Sequence, residues 1–316
     1  MRPVTGSVRR FRFAAQLAKA GSGREWAEAA RKVEDLGYST LTMPDHFGDQ
    51  LAPVPAMMAV ADATTALRIG TLVFANDYRH PLLLAKEAAT LDLLSDGRLE
   101  LGIGAGWMRT DYEQSGIVYD PPATRVERFH EAVAVLKGLL GGDSLTFEGR
   151  HYTITGHDGT PSPVQRPHPP IVIGGGGRRM LSIAGQEADI VGVNPDLREG
   201  LGGPETAPNL TPAKTTEKIG WVREAAGARF DAIELNVLVG FCLVTDDPGS
   251  IAEAMAPAFG ISPDEALHVP YTLIGTLDWM ADELVRRREE WGLSYIGFDG
   301  DSWEAMSPLV ARLAGT

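Results

Sequence analysis

The sequence predicts a single (β/α)8 barrel spanning residues 1–316. Three observations predict it. Short apolar runs alternate with amphipathic helical stretches, which implies a parallel sheet. Eight such units can be counted. The length, 316 residues, suits one barrel domain. A doubly wound open sheet can also hold many strands, so the count favours the barrel over that alternative.

Strand 1 lies in FRFAAQLA, Phe11–Ala18. The helix after it, REWAEAARKVEDLG, sets Trp26, Ala29, Ala30, Val33 and Leu36 at helical spacing and stops at Gly37. Strand 2 is STLTMPDH, followed by the helix PAMMAVADATTA. Strand 3 is LRIGTLVFAN, and its helix PLLLAKEAATLDLLSDG is opened by Pro81 and closed by Gly97. Strand 4, RLELGIGAGW, precedes the helix TRVERFHEAVAVLKGLL. Residues 141–168 read as an insertion after strand 4. Within it SLTFEGRHYTI alternates around Glu148-Gly149 as a β-hairpin. PSPVQRPHPP is a stiff connector, because each proline fixes φ and lacks an N–H.

Strand 5 is PIVIGGGG, with a helix starting near Arg178, and strand 6 is ADIVGVN. Residues 195–213 read as a long Pro- and Gly-rich loop before a helix over Thr215–Ala226. Strand 7 lies in IELNVLVGFCLV. Helices follow near 248–259 and 276–291, the second capped by Thr276 with Asp278 in its first turn. Strand 8 is SYIGFD, and WEAMSPLVARL closes the chain.

Composition narrows the function classes. The chain carries 29 Lys+Arg against 42 Asp+Glu, a net charge of −13. A negative surface attracts neither nucleic acid nor anionic membranes. The single cysteine, Cys242 in VLVGFCLV, permits no intrachain disulfide and reads as a small buried residue. The first residues lack the apolar core of a signal peptide, and no run reaches the ~20 residues of a membrane span. A cytoplasmic location is expected.

In a barrel, chemistry sits on the loops that follow the strands. Strand 2 ends in Asp45 and His46. A histidine there can exchange a proton near neutral pH, and the pair can equally brace a loop; its position tilts the reading toward function. Strand 3 carries no signal of its own. Strand 4 ends in glycines 102, 104 and 106 and Trp107, which would let a ligand lie against backbone. The spacing is not the dinucleotide fingerprint. LELGIGAGW does resemble the first motif of class I methyltransferases, a reading that would require an open sheet. Strand 5 ends in GGGGRR, Gly174 to Arg179, directly before a helix. Free amides at a helix start suit a phosphate. The other histidines show no metal-ligand spacing, and there is no nucleophile elbow or Walker A pattern.

Three blocks carry a wider resemblance: EDLGYSTLTMPDHF, IGTLVFANDYRHPLLLAKEAATLDLLSDGRLELGIGAGW and RPHPPIVIGGGGRRMLSIAGQEADIVGVN. Together, in order, they resemble the luciferase-like monooxygenase superfamily, and within it the coenzyme F420-dependent branch. The resemblance implies a barrel with a deazaflavin ring in its mouth and a non-proline cis peptide after strand 3, mapping to Leu72 and Val73. It implies that Asp45 contacts the cofactor and His46 lies near the transferred hydride. Gly104, Ala105, Gly106 and Trp107 would touch the ring or its side chain. Gly175, Gly176, Gly177, Arg178 and Asn194 would hold the phosphate. Where sugar-phosphate dehydrogenases of this branch carry a glutamate, this sequence has Trp107, which argues against sugar-phosphate oxidation. Arg109 is a candidate for the cofactor's acidic tail.

The function implied is hydride transfer between F420 and a small organic substrate, with His46 and Asp45 as catalytic residues, in a homodimer. The alternatives are an FMN-dependent monooxygenase on the same fold, a methyltransferase, and a cofactor carrier without turnover.

Overall fold

The computed structural model describes residues 9–197, 199–200 and 204–316. Eight parallel strands form its centre: β1 Arg12–Gln16, β2 Thr40–Met43, β3 Arg68–Thr71, β4 Leu99–Gly104, β5 Ile171–Gly175, β6 Ile190–Val193, β7 Glu234–Val239 and β8 Leu293–Asp299. Each pairs with the next, and β8 pairs back onto β1, so the sheet closes. All eight expected strands are present in the expected order. Closure removes the open sheet that a methyltransferase requires.

Helices fill the return connections: α1 Gly23–Asp35, α2 Pro53–Ala63, α3 Pro81–Leu94, α4 Arg109–Ser115, α5 Pro122–Leu140, α6 Arg178–Glu187, α7 Pro212–Ala226, α8 Pro248–Phe259, α9 Pro263–Leu267, α10 Leu277–Trp291 and α11 Ser302–Leu313. The capping chemistry is local and visible in the sequence. Ser22 caps α1 and Thr276 caps α10, each hydroxyl accepting an N–H of the first turn. Gly37 and Gly97 take the left-handed φ that ends those turns.

Strand alternation divides the interior into two cores. Outward residues such as Phe13, Leu41, Ile69, Leu101, Ile173 and Val191 pack under the helices. Inward residues Ala14, Val172, Ile190 and Tyr295, with Leu72, form a small separate cluster inside the ring. Below it, at the N-terminal ends of the strands, charged side chains plug the barrel. Arg12 pairs with Glu100 and Glu234 at 2.6 Å each, and Arg68 pairs with Glu100 at 2.8 Å. The Tyr295 hydroxyl donates to Glu100, and the Arg12 guanidinium lies 3.5 Å from the Tyr295 ring centre. Buried charges persist when paired and hydrogen-bonded in this way.

Between α5 and β5, Ser144–Glu148 and Thr153–Asp158 form the expected antiparallel hairpin. Three features were not legible as elements: α4, α9 and a second parallel pair, Phe241–Val244 with Thr272–Gly275. The apolar run expected as strand 7 is therefore divided. β7 stops at Val239, and Gly240 turns its N–H to the Tyr271 carbonyl before the outer pair begins. No helix among the described residues is long and apolar enough to cross a membrane.

Candidate active site

The strands' C-terminal ends open into a mouth with one glycine-rich wall. Gly174 of β5 stands opposite Gly192 of β6, and Gly104 lies one residue beyond the Ile103–Ile173 pair. Substitution would close the gaps between them. A Cβ at Gly104 would stand 2.8 Å from Val73 Cγ2, and one at Gly174 2.7 Å from Asn194 Nδ2. A Cβ at Gly102 would strike the Thr71 carbonyl. The Leu72–Val73 peptide is cis, where the resemblance placed it, and brings Val73 against these glycines. Beside Gly192 lies Asn236, only 1% exposed, whose Oδ1 has no hydrogen-bond partner. A glycine-rich floor packed by Val73 and Asn194, with an unsatisfied acceptor at its edge, fits a flat heterocycle bearing N–H groups, as a flavin or deazaflavin does.

Above that wall, Gly175–Gly177 lead into α6. Its N-cap is Gly177, and no side chain caps it. The first turn's amides are thus available to an anion. Asn194 is held beside them, its N–H donating to the Gly175 carbonyl, and Gly176 is pressed so close to the Pro195 carbonyl that no side chain would fit. Arg178 is placed differently from the sequence reading. Its side chain is 65% exposed and reaches Glu224 of α7 at 3.2 Å. The charge near the cradle comes instead from Lys218, which sequence reading missed. Lys218 is buried and donates to the carbonyls of Asn194 and Asn209, 2.9 Å each.

Burial lowers the Lys218 pKa to about 8. Between that value and its ordinary one the unfolded chain binds the proton and the folded chain does not, so Lys218 makes stability rise with pH in this window. The contribution is on the order of 3 kcal/mol. Lys218→Met should abolish that rise. The check is urea denaturation at pH 7.5 and 10, comparing the pH dependence of variant and parent; identical slopes would exclude Lys218 as the source.

On the opposite side stand the strand-2 residues. Asp45 is 5% exposed, and its carboxylate is engaged. It accepts from Arg79 Nη1 at 2.7 Å, Arg79 Nη2 at 3.1 Å and the Ala75 N–H at 2.9 Å. Such a bidentate clamp fixes the loop after β3. His46 is half-buried, with Nδ1 2.6 Å from Asp111 Oδ2 on α4. A carboxylate only accepts, so Nδ1 carries the proton and Nε2 is the nitrogen left for chemistry. Asp111, 3% exposed, also receives the Tyr78 hydroxyl at 2.9 Å and the Phe47 N–H at 3.3 Å. Burial and the Asp111 carboxylate hold the Tyr78 phenol far above its usual range, so it remains a donor.

Trp107 packs edge-on against His46, ring centres 5.7 Å apart. Its loop is pinned from behind by Arg125, which is 2% exposed, donates to the Gly106 carbonyl and lies over the Tyr119 ring. The Tyr119 hydroxyl donates to the Trp107 carbonyl at 3.1 Å. Arg109 reaches the Glu199 carbonyl, joining the loops after β4 and β6. Asn76 donates to Tyr152 of the hairpin, tying the insertion to the mouth.

The structure thus gathers His46, Trp107 and Asp111 on one side and the glycines, Val73 and Asn194 on the other. Asp111 and Arg125 were invisible as site residues. The thiol of Cys242 is half-buried, and burial pushes it up to about 12, in keeping with an inert residue. Among the described residues no cluster of His, Cys, Asp and Glu could hold a metal ion.

Comparison with known proteins agrees with this architecture. The F420-dependent glucose-6-phosphate dehydrogenase of Amycolatopsis mediterranei (strain U-32) is 29% identical over 177 residues, 52% of each chain. An FMNH2-dependent dimethylsulfone monooxygenase of Pseudomonas putida is 29% identical over 143 residues, covering 45% of this chain and 39% of that one. The chain therefore matches about half or less of these relatives' length. The coenzyme F420-dependent tetrahydromethanopterin reductase of Methanopyrus kandleri superposes with a TM-score of 0.74 at 18% identity, over 97% of this chain and 99% of that one. That likeness concerns the fold. The model of the luciferase-like monooxygenase family matches residues 5–294, and the chain belongs to that family.

Proposed function

We propose that this chain is an oxidoreductase that moves a hydride between coenzyme F420 and a small organic substrate. The observation that carries this reading is the His46–Asp111 pair at the same end of the barrel as the glycines of β4 to β6 that pack against Val73 and Asn194. A bound deazaflavin would supply or accept the hydride at its C5. The chain's own contribution is to hold the reactants and move a proton. The glycines of β4 to β6, with Val73, would seat the ring. The α6 amides, Gly175–Gly177 and Asn194 would take the phosphate. His46 Nε2 would give or accept the proton that accompanies the hydride, with Asp111 holding the imidazole in the required tautomer. Trp107 would wall off water beside it. Asp45 would act through the loop it clamps, keeping Ala75 and the Leu72–Val73 peptide in place behind the ring.

The similarity to an F420-dependent dehydrogenase supports this cofactor, and the similarity to an FMNH2-dependent monooxygenase supports the alternative. Fluorescence titration separates them. F420 should bind at least ~10-fold tighter than FMN, a difference of ~1.4 kcal/mol. Tighter FMN binding, with oxygen uptake in the presence of reduced FMN, would move the chain to the monooxygenases.

A further inference from the structure

Three neighbouring strand ends, those of β1, β2 and β8, carry polar groups that the hydride chemistry leaves unused. Gln16 ends β1, and its register partners are Thr42 on β2 and Asp299 on β8. All three face inward, because Arg12, Thr40 and Tyr295, four or two residues earlier on the same strands, join one network inside the barrel. Gln16 and Thr42 are more than nine-tenths buried. Gln16 Nε2 donates to Asp299 Oδ1 at 3.2 Å, and that carboxylate also accepts the Gly300 N–H. The carboxylate thereby fixes the amide's orientation, since the reverse would set oxygen against oxygen. Gln16 Oε1 and the Thr42 hydroxyl are then left buried with no partner among the described residues. Buried polar groups are rarely left so, and an unsatisfied set at a barrel mouth points to a ligand that completes it. The set consists of an amide oxygen, a hydroxyl and a nearby carboxylate. Gln16 Oε1 and the carboxylate only accept, and the hydroxyl can accept as well, so the set is rich in acceptors and calls for a donor from the ligand.

We infer that Gln16, Thr42 and Asp299 form the substrate-recognition row, and that the substrate presents a hydroxyl or amine to it. The inference rests on the oxidoreductase reading only for the word substrate. Thr42 lies on β2 and His46 on the loop that leaves it, so the row and the proton-transfer group open at the same end of the barrel.

The test uses the full chain, with and without F420, and three probes on one carbon skeleton: cyclohexanol, cyclohexylamine and cyclohexanone. The alcohol and the amine can donate; the ketone can only accept. Saturation-transfer NMR should show the two donors binding at least ~5-fold tighter than the ketone. Gln16→Met, which removes the orphan amide oxygen and keeps the length, should erase most of that preference, while Thr42→Val, which removes the one hydroxyl able to serve a ketone, should sharpen it, each leaving F420 affinity unchanged. Asp299→Asn, which keeps the shape and removes the charge, should weaken the amine more than the alcohol. Equal binding of the three probes, no binding of any, or a Gln16→Met variant that keeps the full preference would overturn the inference. Donor preference in a protein that fails to bind F420 would instead overturn the cofactor reading and leave the row standing.

Discussion

His46→Ala is expected to lower turnover by ~10²–10⁴-fold, the range of a positioned general acid or base. F420 affinity should stay within ~2-fold of the parent. The reason lies in the placement of the imidazole. Its Nδ1 is committed to Asp111 at 2.6 Å, so the ring contributes one free nitrogen, and alanine removes it without disturbing the glycine wall opposite. Binding and chemistry should therefore separate: the affinity stays and the rate falls. Single-turnover kinetics with bound F420 would read the two quantities independently. Unchanged turnover would remove His46 from the proton transfer, and equal losses in affinity and rate would make it a binding residue.

The largest effect on stability is expected at Arg287. Its guanidinium is fully buried and donates to Glu283 at 2.7 Å, to the Pro270 carbonyl at 3.1 Å, and to the carbonyls of Val269 and Thr272 at 3.0 and 2.9 Å. Burial alone would pull its pKa down, with Glu283 opposing. Glu283 in turn is held low by Arg286 and Arg287 against its own burial. Arg287→Met keeps most of the volume but strands three carbonyls and takes away one of Glu283's four hydrogen bonds. Breaking a buried pair from one side costs ~3–5 kcal/mol. Urea unfolding at neutral pH would measure it, and a loss under ~1 kcal/mol would mean that water replaces the guanidinium. Residues 269–275 are the segment that depends on it, including the outer strand Thr272–Gly275.

Eight strands, most of the helices and the hairpin were legible because each rests on local periodicity and punctuation: Gly37, Gly97, Pro81 and Thr276 mark ends in ways a chain cannot avoid. What was not legible depends on partners far away in sequence. Asp111 sits on a seven-residue helix, too short for periodicity, and meets His46 across 65 positions. Arg125 looks like any polar residue on a long helix until its loop folds back over it. Lys218 reads as a surface lysine, yet α7 turns it inward beneath Asn194. Arg178 shows the opposite case. A cation next to glycines looks like a phosphate ligand, but the helix it begins points its side chain at Glu224. Asp45 and His46 stand out together by position, and only the three-dimensional partners show one clamped by Arg79 and the other paired with Asp111 through a single ring nitrogen.

The charged plug of Arg12, Arg68, Glu100 and Glu234 bears on traffic as well as on packing. A vessel stoppered at the bottom has one doorway. Whatever occupies the upper part of the mouth blocks the way for anything seated deeper, and nothing can be released from behind.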